Sequence, residues 1–413
     1  MKHFSASLAL VALTAVLAAC DASSPGAGPD ASVPACGAHL ADCDHDGTCE
    51  TDVSSGDNCG GCGLKCPSGP ESTATCAHGV CAIVCTAGFG DCDGDASNGC
   101  ESDLTQPGTC GACGNACGGA CVDGACASCD DGLALDSDDP LDAAKALGIC
   151  SGVVSAQWVM PNGDPPPANN MTMYSLGHGI LSGFGPHVAT REGHQLLALS
   201  SGNARRPGDP GYVANNSVDR MIDGLPPAGF PRPSPACPGI ETGPVKDAVA
   251  LELELEAPDW AKGFAFDFDF YTNEWPVYLC TQYNDFFVAL LLPTPAGQID
   301  GDISFDPMGN PISVNAGFVR VCGCVGGPPC LANGHSFDCP KGTDELIGTG
   351  FDEGSGHAAT SWLTSTAPVE PGQTIRLRLT IYDSDDHQFD STVLLDKFRW
   401  LPRSPVVTTE PIP

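Results

Sequence analysis

Three sets of residues in this chain have types and spacings that could do chemistry. Cys20 stands directly behind Leu17-Ala18-Ala19, at the end of an apolar run that starts at Leu8 and follows Lys2. A positive start, a short apolar stretch and small residues before a cut make an export leader, and a cysteine at the cut is a thiol placed to receive lipid. The second set is Glu274, Asn284, Asp285 and Asp390, oxygen-bearing residues set among aromatics and beside the acidic run Asp383 to Asp390. Oxygen donors without His or Cys suit Ca²⁺, which takes six to eight oxygens with flexible geometry, better than Zn²⁺. The competing reading is that Glu274 and Asn284 bond local backbone while the loop is solvated. The third set is Asp267 and Asp269, alternate residues of one strand, a spacing that could serve acid/base cleavage of a glycoside. The sequence shows nothing around them that would raise one pKa. There is no Gly-x-Ser-x-Gly and no His-Glu-x-x-His, and the ten histidines are scattered.

Positioning these residues requires an ordered sequence of elements. Residues 1–19 read as the leader, too short to span a bilayer, where roughly 20 apolar residues are needed. Residues 20–35, rich in Pro, Gly, Ala and Ser, read as a tether from a lipid on Cys20, with a reach on the order of 20 Å. The lipid makes the membrane a partner, through acyl chains that each bury at roughly 0.8 kcal/mol per methylene.

A duplication follows. Cysteines at 36, 43, 49, 59, 62, 66, 76 and 81 are echoed at 85, 92, 100, 110, 113, 117, 121 and 126, with Asp42-Cys43-Asp44 matching Asp91-Cys92-Asp93. Between 36 and 128 the one aromatic is Phe89 and the one Lys or Arg is Lys65. Units this poor in apolar bulk need crosslinks in place of a core. Repeats over 36–84 and 85–128 each hold eight cysteines, enough for four internal bridges whose pairing the spacing leaves open. Of 25 cysteines, setting Cys20 aside leaves an even 24, consistent with full pairing in an oxidising compartment. Cys59-x-x-Cys62 and Cys110-x-x-Cys113 read as structural rather than redox pairs, and Cys322-x-Cys324 is the first suspect for a metal site if thiols stay free. Asp42-x-Asp44-x-Asp46-Gly47 opens like an EF-hand loop but has Val53 where the bidentate Glu belongs, so it reads as a set of Asp-capped turns.

From Cys129 the chain changes character. Asp139 to Gly148 reads as a helix with Asp139 as N-cap, Pro140 in the first turn and Gly148 as terminator. Cys129 and Cys150 bracket it and are placed to pair across it. Strands follow: Val249 to Glu256 and Phe264 to Phe270 alternate, Phe286 to Leu292 is continuously apolar, and Ile375 to Ile381 with Thr392 to Trp400 read as a hairpin around the acidic loop. The fold expected is mainly β, an antiparallel sandwich or jelly roll over 129–402 behind two small disulfide-rich repeats, with a flexible tail at 403–413.

Ala143-Ala144-x-Ala146-Leu147-Gly148-Ile149-Cys150, Phe264 to Phe270 with Thr272-Asn273-Glu274-Trp275-Pro276-x-Tyr278, Tyr283-Asn284-Asp285-x-Phe287, Ile303 to Asn315 and Asp390 to Trp400 resemble the choice-of-anchor L domain. The Cys-rich repeats resemble those of myxobacterial cell-surface lipoproteins. The resemblance implies display outside the cell and carries no established activity. Trp275 stands where Phe or Tyr is commoner.

The formal charge of −34 sets the chain against nucleic acid and anionic surfaces. The expectation is a non-enzymatic binding or adhesion module, lipid-anchored at the cell envelope or surface, with Ca²⁺ as a cofactor and an envelope or extracellular glycan or protein as partner. A polysaccharide-active hydrolase using paired carboxylates is the alternative.

Overall fold

The computed structural model describes residues 36–412 apart from 118, 215–217, 299, 316 and 353–355; the leader, Cys20 and the whole tether lie outside them. The chain divides into two compact units, one holding 36–66 and 74–82, the other 67–73 and everything from Ile83 onward.

In the first unit, bridges replace a core. Cys36–Cys49, Cys43–Cys62, Cys59–Cys76 and Cys66–Cys81 join its eight cysteines in the order first to third, second to fifth, fourth to seventh, sixth to eighth. The second repeat, part of the other unit, uses the same order: Cys85–Cys100, Cys92–Cys113, Cys110–Cys121 and Cys117–Cys126. The Asp-rich turns are self-capped. Asp42 accepts the backbone N–H of His45 (2.7 Å) and Gly47 (3.0 Å), and Asp91 that of Gly94 (2.7 Å), so these carboxylates are engaged by their own loops.

In the second unit a disulfide joins Cys129 to Cys150 around helix α1, Pro140–Ala146. Asp139 caps it by accepting from the N–H of Leu141 (2.9 Å), and Gly148 ends it with φ +97°, a left-handed geometry that glycine adopts without a Cβ clash.

The principal strands are β1 Val153–Val159, β2 His178–Leu181, β3 Leu196–Ser200, β4 Val245–Glu256, β5 Gly263–Thr272, β6 Phe286–Leu292, β7 Leu363–Pro368, β8 Thr374–Ser384, β9 Ser391–Leu401 and β10 Thr408–Pro411. They form two antiparallel sheets. The six-stranded sheet centres on β4, β8 and β6, with β1 on the outer side of β4. The eight-stranded sheet runs β2, β3, β9, β5, with β7 on the far side of β5 and β10 on β7. The chain is therefore mainly β, with little helix, in a sandwich preceded by disulfide-rich repeats.

Alternation fills the space between the sheets. Phe264, Phe266, Phe268 and Phe270 of β5 meet Leu251, Leu253 and Leu255 of β4, Phe287 of β6 and Leu377 and Leu379 of β8 in one buried cluster. Each fully buried Phe or Leu contributes about 1.5–3 kcal/mol. The eight-stranded sheet is covered on its other face too, by Phe184, Tyr271, Leu346, Phe351 and Trp362. A third layer around Trp275 is stapled by Cys322–Cys339 and Cys324–Cys330, so Cys322 and Cys324 are half-cystines rather than metal thiolates.

Two sequence expectations give way here. Strands β8 and β9 are not a hairpin: β8 pairs with β4 and β6, β9 with β3 and β5, and the acidic loop crosses between the sheets. The tail 403–413 is not loose. Its strand β10 pairs with β7, and Thr409 is buried, sharing a hydrogen bond with Ser365 Oγ (2.7 Å). Thr-rich β10 satisfies the open edge of β7, a role that pairing partners rather than local composition determine.

Candidate metal centre

Strand β5 ends at Thr272 and β6 begins at Phe286; β8 ends at Ser384 and β9 begins at Ser391. Both connections, 273–285 and 385–390, pass from one sheet to the other, and they are tied together where the Asn273 N–H (3.3 Å) and Nδ2 (3.1 Å) donate to the Asp390 carbonyl. Antiparallel register does the rest. Phe286 faces Tyr382 across the β6–β8 ladder, so the next residues outward, Asp285 and Asp383, meet with their carboxyls against one another. Glu274 joins them, accepting the Asp285 N–H at Oε2 (2.9 Å), while Ser201 Oγ donates to Asp285 Oδ2 (3.1 Å). Asn284 is fixed beside them by its N–H to Ser384 Oγ (3.2 Å).

All four side chains are buried, yet among the described residues no donor group reaches Asp285 Oδ1, either Asp383 oxygen or Asn284 Oδ1. Buried oxygens are normally bonded, and an unpartnered charged one is costly. The charges acting on this group are mostly its own kind. Burial pushes the Asp285 carboxyl up to about 7 against the lowering effect of its hydroxyl partners. Burial, and then Asp285, push Glu274 well above the carboxylate range; burial, Asp285 and Glu274 do the same to Asp383. Three carboxylates this close and this dry cannot all be ionised unless a cation joins them.

The donors fit a hard cation: carboxylate and amide oxygens only, on segments fixed by two sheets. Glu274, Asp285, Asp383 and Asn284 would hold Ca²⁺, whose longer bonds and flexible geometry suit four side chains on crossing segments better than the strict octahedron of Mg²⁺. Of the residues singled out from sequence, Glu274, Asn284 and Asp285 come together. Asp390 lies beside them: burial, and then the Asp285 charge, push its carboxyl well above the carboxylate range, while it accepts the Val218 N–H (3.0 Å) on the side of the Arg220 guanidinium. Arg220 itself is spent on carbonyls of Ser200, Ser201, Tyr174 and Asp247. The candidate ligand that sequence reading passed over is Asp383, noted only as the start of an acidic loop. The signal was present: it continues the inward alternation Leu377, Leu379, Ile381, so its side chain points inside.

Asp267 and Asp269 stand elsewhere, on the outer face of β5 beneath the second apolar layer. They are buried, not on an exposed strand. Asp267 pairs with Arg399 Nη1 (3.0 Å) and Arg191 Nε (3.3 Å) and accepts from Thr364 Oγ1 (2.7 Å). Asp269 accepts from Tyr271 Oη (2.9 Å) and Thr360 Oγ1 (3.2 Å), and burial, then Glu345, push it up to about 8. An environment that raises one pKa does exist, contrary to the sequence reading, but it comes from sealing the carboxyl away from any substrate.

No curated protein and no solved structure matches the chain. Residues 236–398 match the Choice-of-anchor L domain family, a likeness that covers β4 through most of β9 with both connections of the acidic cluster and that points to an exported, surface-associated protein without a catalytic role.

Proposed function

We propose that this chain is a cell-surface lipoprotein whose β-sandwich is a non-enzymatic binding or adhesion module organised by calcium. The observation that carries the exported reading is the cysteine pairing: twelve disulfides take up all 24 cysteines from Cys36 to Cys339. Such a chain is stable outside the cytoplasm and would be reduced within it. The likeness to the Choice-of-anchor L domain supports surface display, and no helix among the described residues is long and apolar enough to cross a membrane. Cys20 supplies the anchor, and a lipid on it places the repeats and the sandwich outside the membrane. The buried, unpartnered oxygens of Asp285, Asp383 and Asn284 support a resident Ca²⁺ at the crossing loops.

The anchoring test is Cys20→Ser. The wild-type chain is expected to take up labelled fatty acid and sediment with membranes, and the variant to lose the label and appear in the soluble fraction. Label retained on the variant contradicts the anchor.

A further inference from the structure

The arginines of this chain are nearly all engaged. Arg191 and Arg399 pair with Asp267, Arg232 with Asp300 and Asp302, Arg206 with Asp209 and Arg378 with Glu252. Arg205 and Arg220 donate to backbone carbonyls. Among the described residues, Arg320 is the one half-buried arginine whose guanidinium meets no acceptor. Its Nη1 is closed to water without a hydrogen bond, and its Nε and Nη2 bond nothing either but stay open. The chain has 51 acidic residues against 17 Lys and Arg, so carboxylates are abundant, yet none stands against this group. A part-buried charged donor costs free energy until something accepts from it.

Arg320 lines a cavity of about 610 Å³, within the range of roughly 300–1,000 Å³ that small-ligand sites occupy. Its walls are crosslinked: Cys237–Cys280 ties one, and Cys322–Cys339 fixes the segment that brings Asp338 and Pro340 to the other. Leu279, Val319 and Phe337 give it an apolar lining, with Phe337 held edge-on to Trp275 (5.7 Å). Buried Asn315 also lines it. The Asn315 Oδ1 accepts the Cys280 N–H (2.8 Å), which turns its Nδ2 the other way, toward no acceptor among the described residues. The acid of the lining, Asp338, is exposed and makes no ion pair with Arg320.

We infer that this cavity binds a small monocarboxylate with an apolar body, its carboxylate on the open Nε–Nη2 edge of Arg320 and its body on Leu279, Val319 and Phe337. That edge is a planar fork that matches the two oxygens of a carboxylate, and a charge-assisted pair in a partly closed cavity is stronger than one in open water. Asn315 Nδ2 adds a neutral donor in the same cavity. Charge and lining select the class. An inorganic anion would leave the apolar wall uncovered, and a dianion would meet Asp338 with one guanidinium to offset it. Free organic acids and the carboxyl end of a peptide share the chemistry that fits.

The site gives the binding-module reading, on which it rests, a ligand class, and it uses none of the calcium ligands. The full chain, solubilised in neutral detergent, is titrated with phenylacetate and with N-acetylphenylalanine, each beside its neutral amide, and binding is read by saturation-transfer NMR. Saturable binding of at least one acid is expected, with its amide weaker by about tenfold or more. Phenylacetate bound as well as or better than N-acetylphenylalanine marks a free organic acid as the ligand; the reverse order marks the carboxyl end of a peptide. Arg320→Gln should melt with wild type and bind the acids no better than the amides. Asp338→Asn removes the acid of the lining and should tighten acid binding about threefold, and it decides the matter if Arg320→Gln melts lower. Acids that bind wild type no better than their amides overturn the site, as does an Asp338→Asn chain with wild-type affinity for them. Either failure leaves surface display and the calcium centre standing, since fatty-acid labelling and calcium melts test those separately.

Discussion

Asp269 holds a proton at neutral pH because burial and the nearby Glu345 carboxyl raise its pKa to about 8, against the smaller opposing effects of the Tyr271 and Thr360 hydroxyls and Lys341. Asp396, also near 8, and Asp302, near 7, are raised by burial in the same way. The sign of the linkage follows. The folded chain keeps protons that the unfolded chain releases above about pH 4, so this contribution to stability is complete below that and is lost as pH rises through about 8. In chelator, stability should therefore fall from pH 5 to pH 8. Asp269→Asn keeps an acceptor for Tyr271 and has no proton to lose, so it should remove on the order of a few kcal/mol of that fall. Urea melts of wild type and variant at the two pH values check this; parallel pH slopes would contradict it. The residue scale is also where sequence reading was least complete. Glu274 and Asp285 stood out because they interrupt aromatics. Asp383 did not, because its partner Asp285 lies 98 positions away and only strand register brings them together.

Strands and helix were legible from their own residues. The alternation in Phe264 to Phe270 gives β5 a core face, and Asp139, Pro140 and Gly148 bound α1 where local chemistry requires. Sheet membership was not legible. β8 and β9 flank a short polar loop as hairpin strands do, yet each finds better partners in a different sheet, since β8 completes a ladder with β4 from Val245 to Glu256. Nor does composition reveal β10, whose Thr-rich segment becomes a strand because β7 offers it an edge. Deleting 403–413 should lower the melting temperature by several degrees, since it uncovers β7 and removes Thr409 from Ile303 and Ser365. A truncated chain that melts with wild type would show that β10 contributes nothing. In the repeats, the spacing of cysteines announced a duplication without saying how they join. Peptide mapping of the unreduced chain should return the same first-to-third, second-to-fifth, fourth-to-seventh, sixth-to-eighth order in both repeats. A repeat with a different order, or free thiols among these residues, would break that symmetry.

At the scale of the whole molecule, the paired cysteines suit an exported chain, and the crossing loops gather buried carboxylates that the calcium proposal addresses. An acidic surface is solvated and costs little, but Glu274, Asp285 and Asp383 are inside, where their repulsion pushes the two sheets' connections apart. A divalent cation bound there, as proposed, would turn that repulsion into a tie between the sheets. The most direct measurement is the melting of the full chain in EGTA and in rising Ca²⁺, with Mg²⁺ as control, for wild type and Asp383→Asn. Ca²⁺ should raise the wild-type midpoint, worth about 2.7 kcal/mol at a hundred times the dissociation constant, and Mg²⁺ should do far less. Asp383→Asn, with one buried charge removed, should melt in EGTA no lower than wild type and should not respond to Ca²⁺. A wild-type midpoint that is the same in EGTA and in millimolar Ca²⁺ would contradict the calcium proposal.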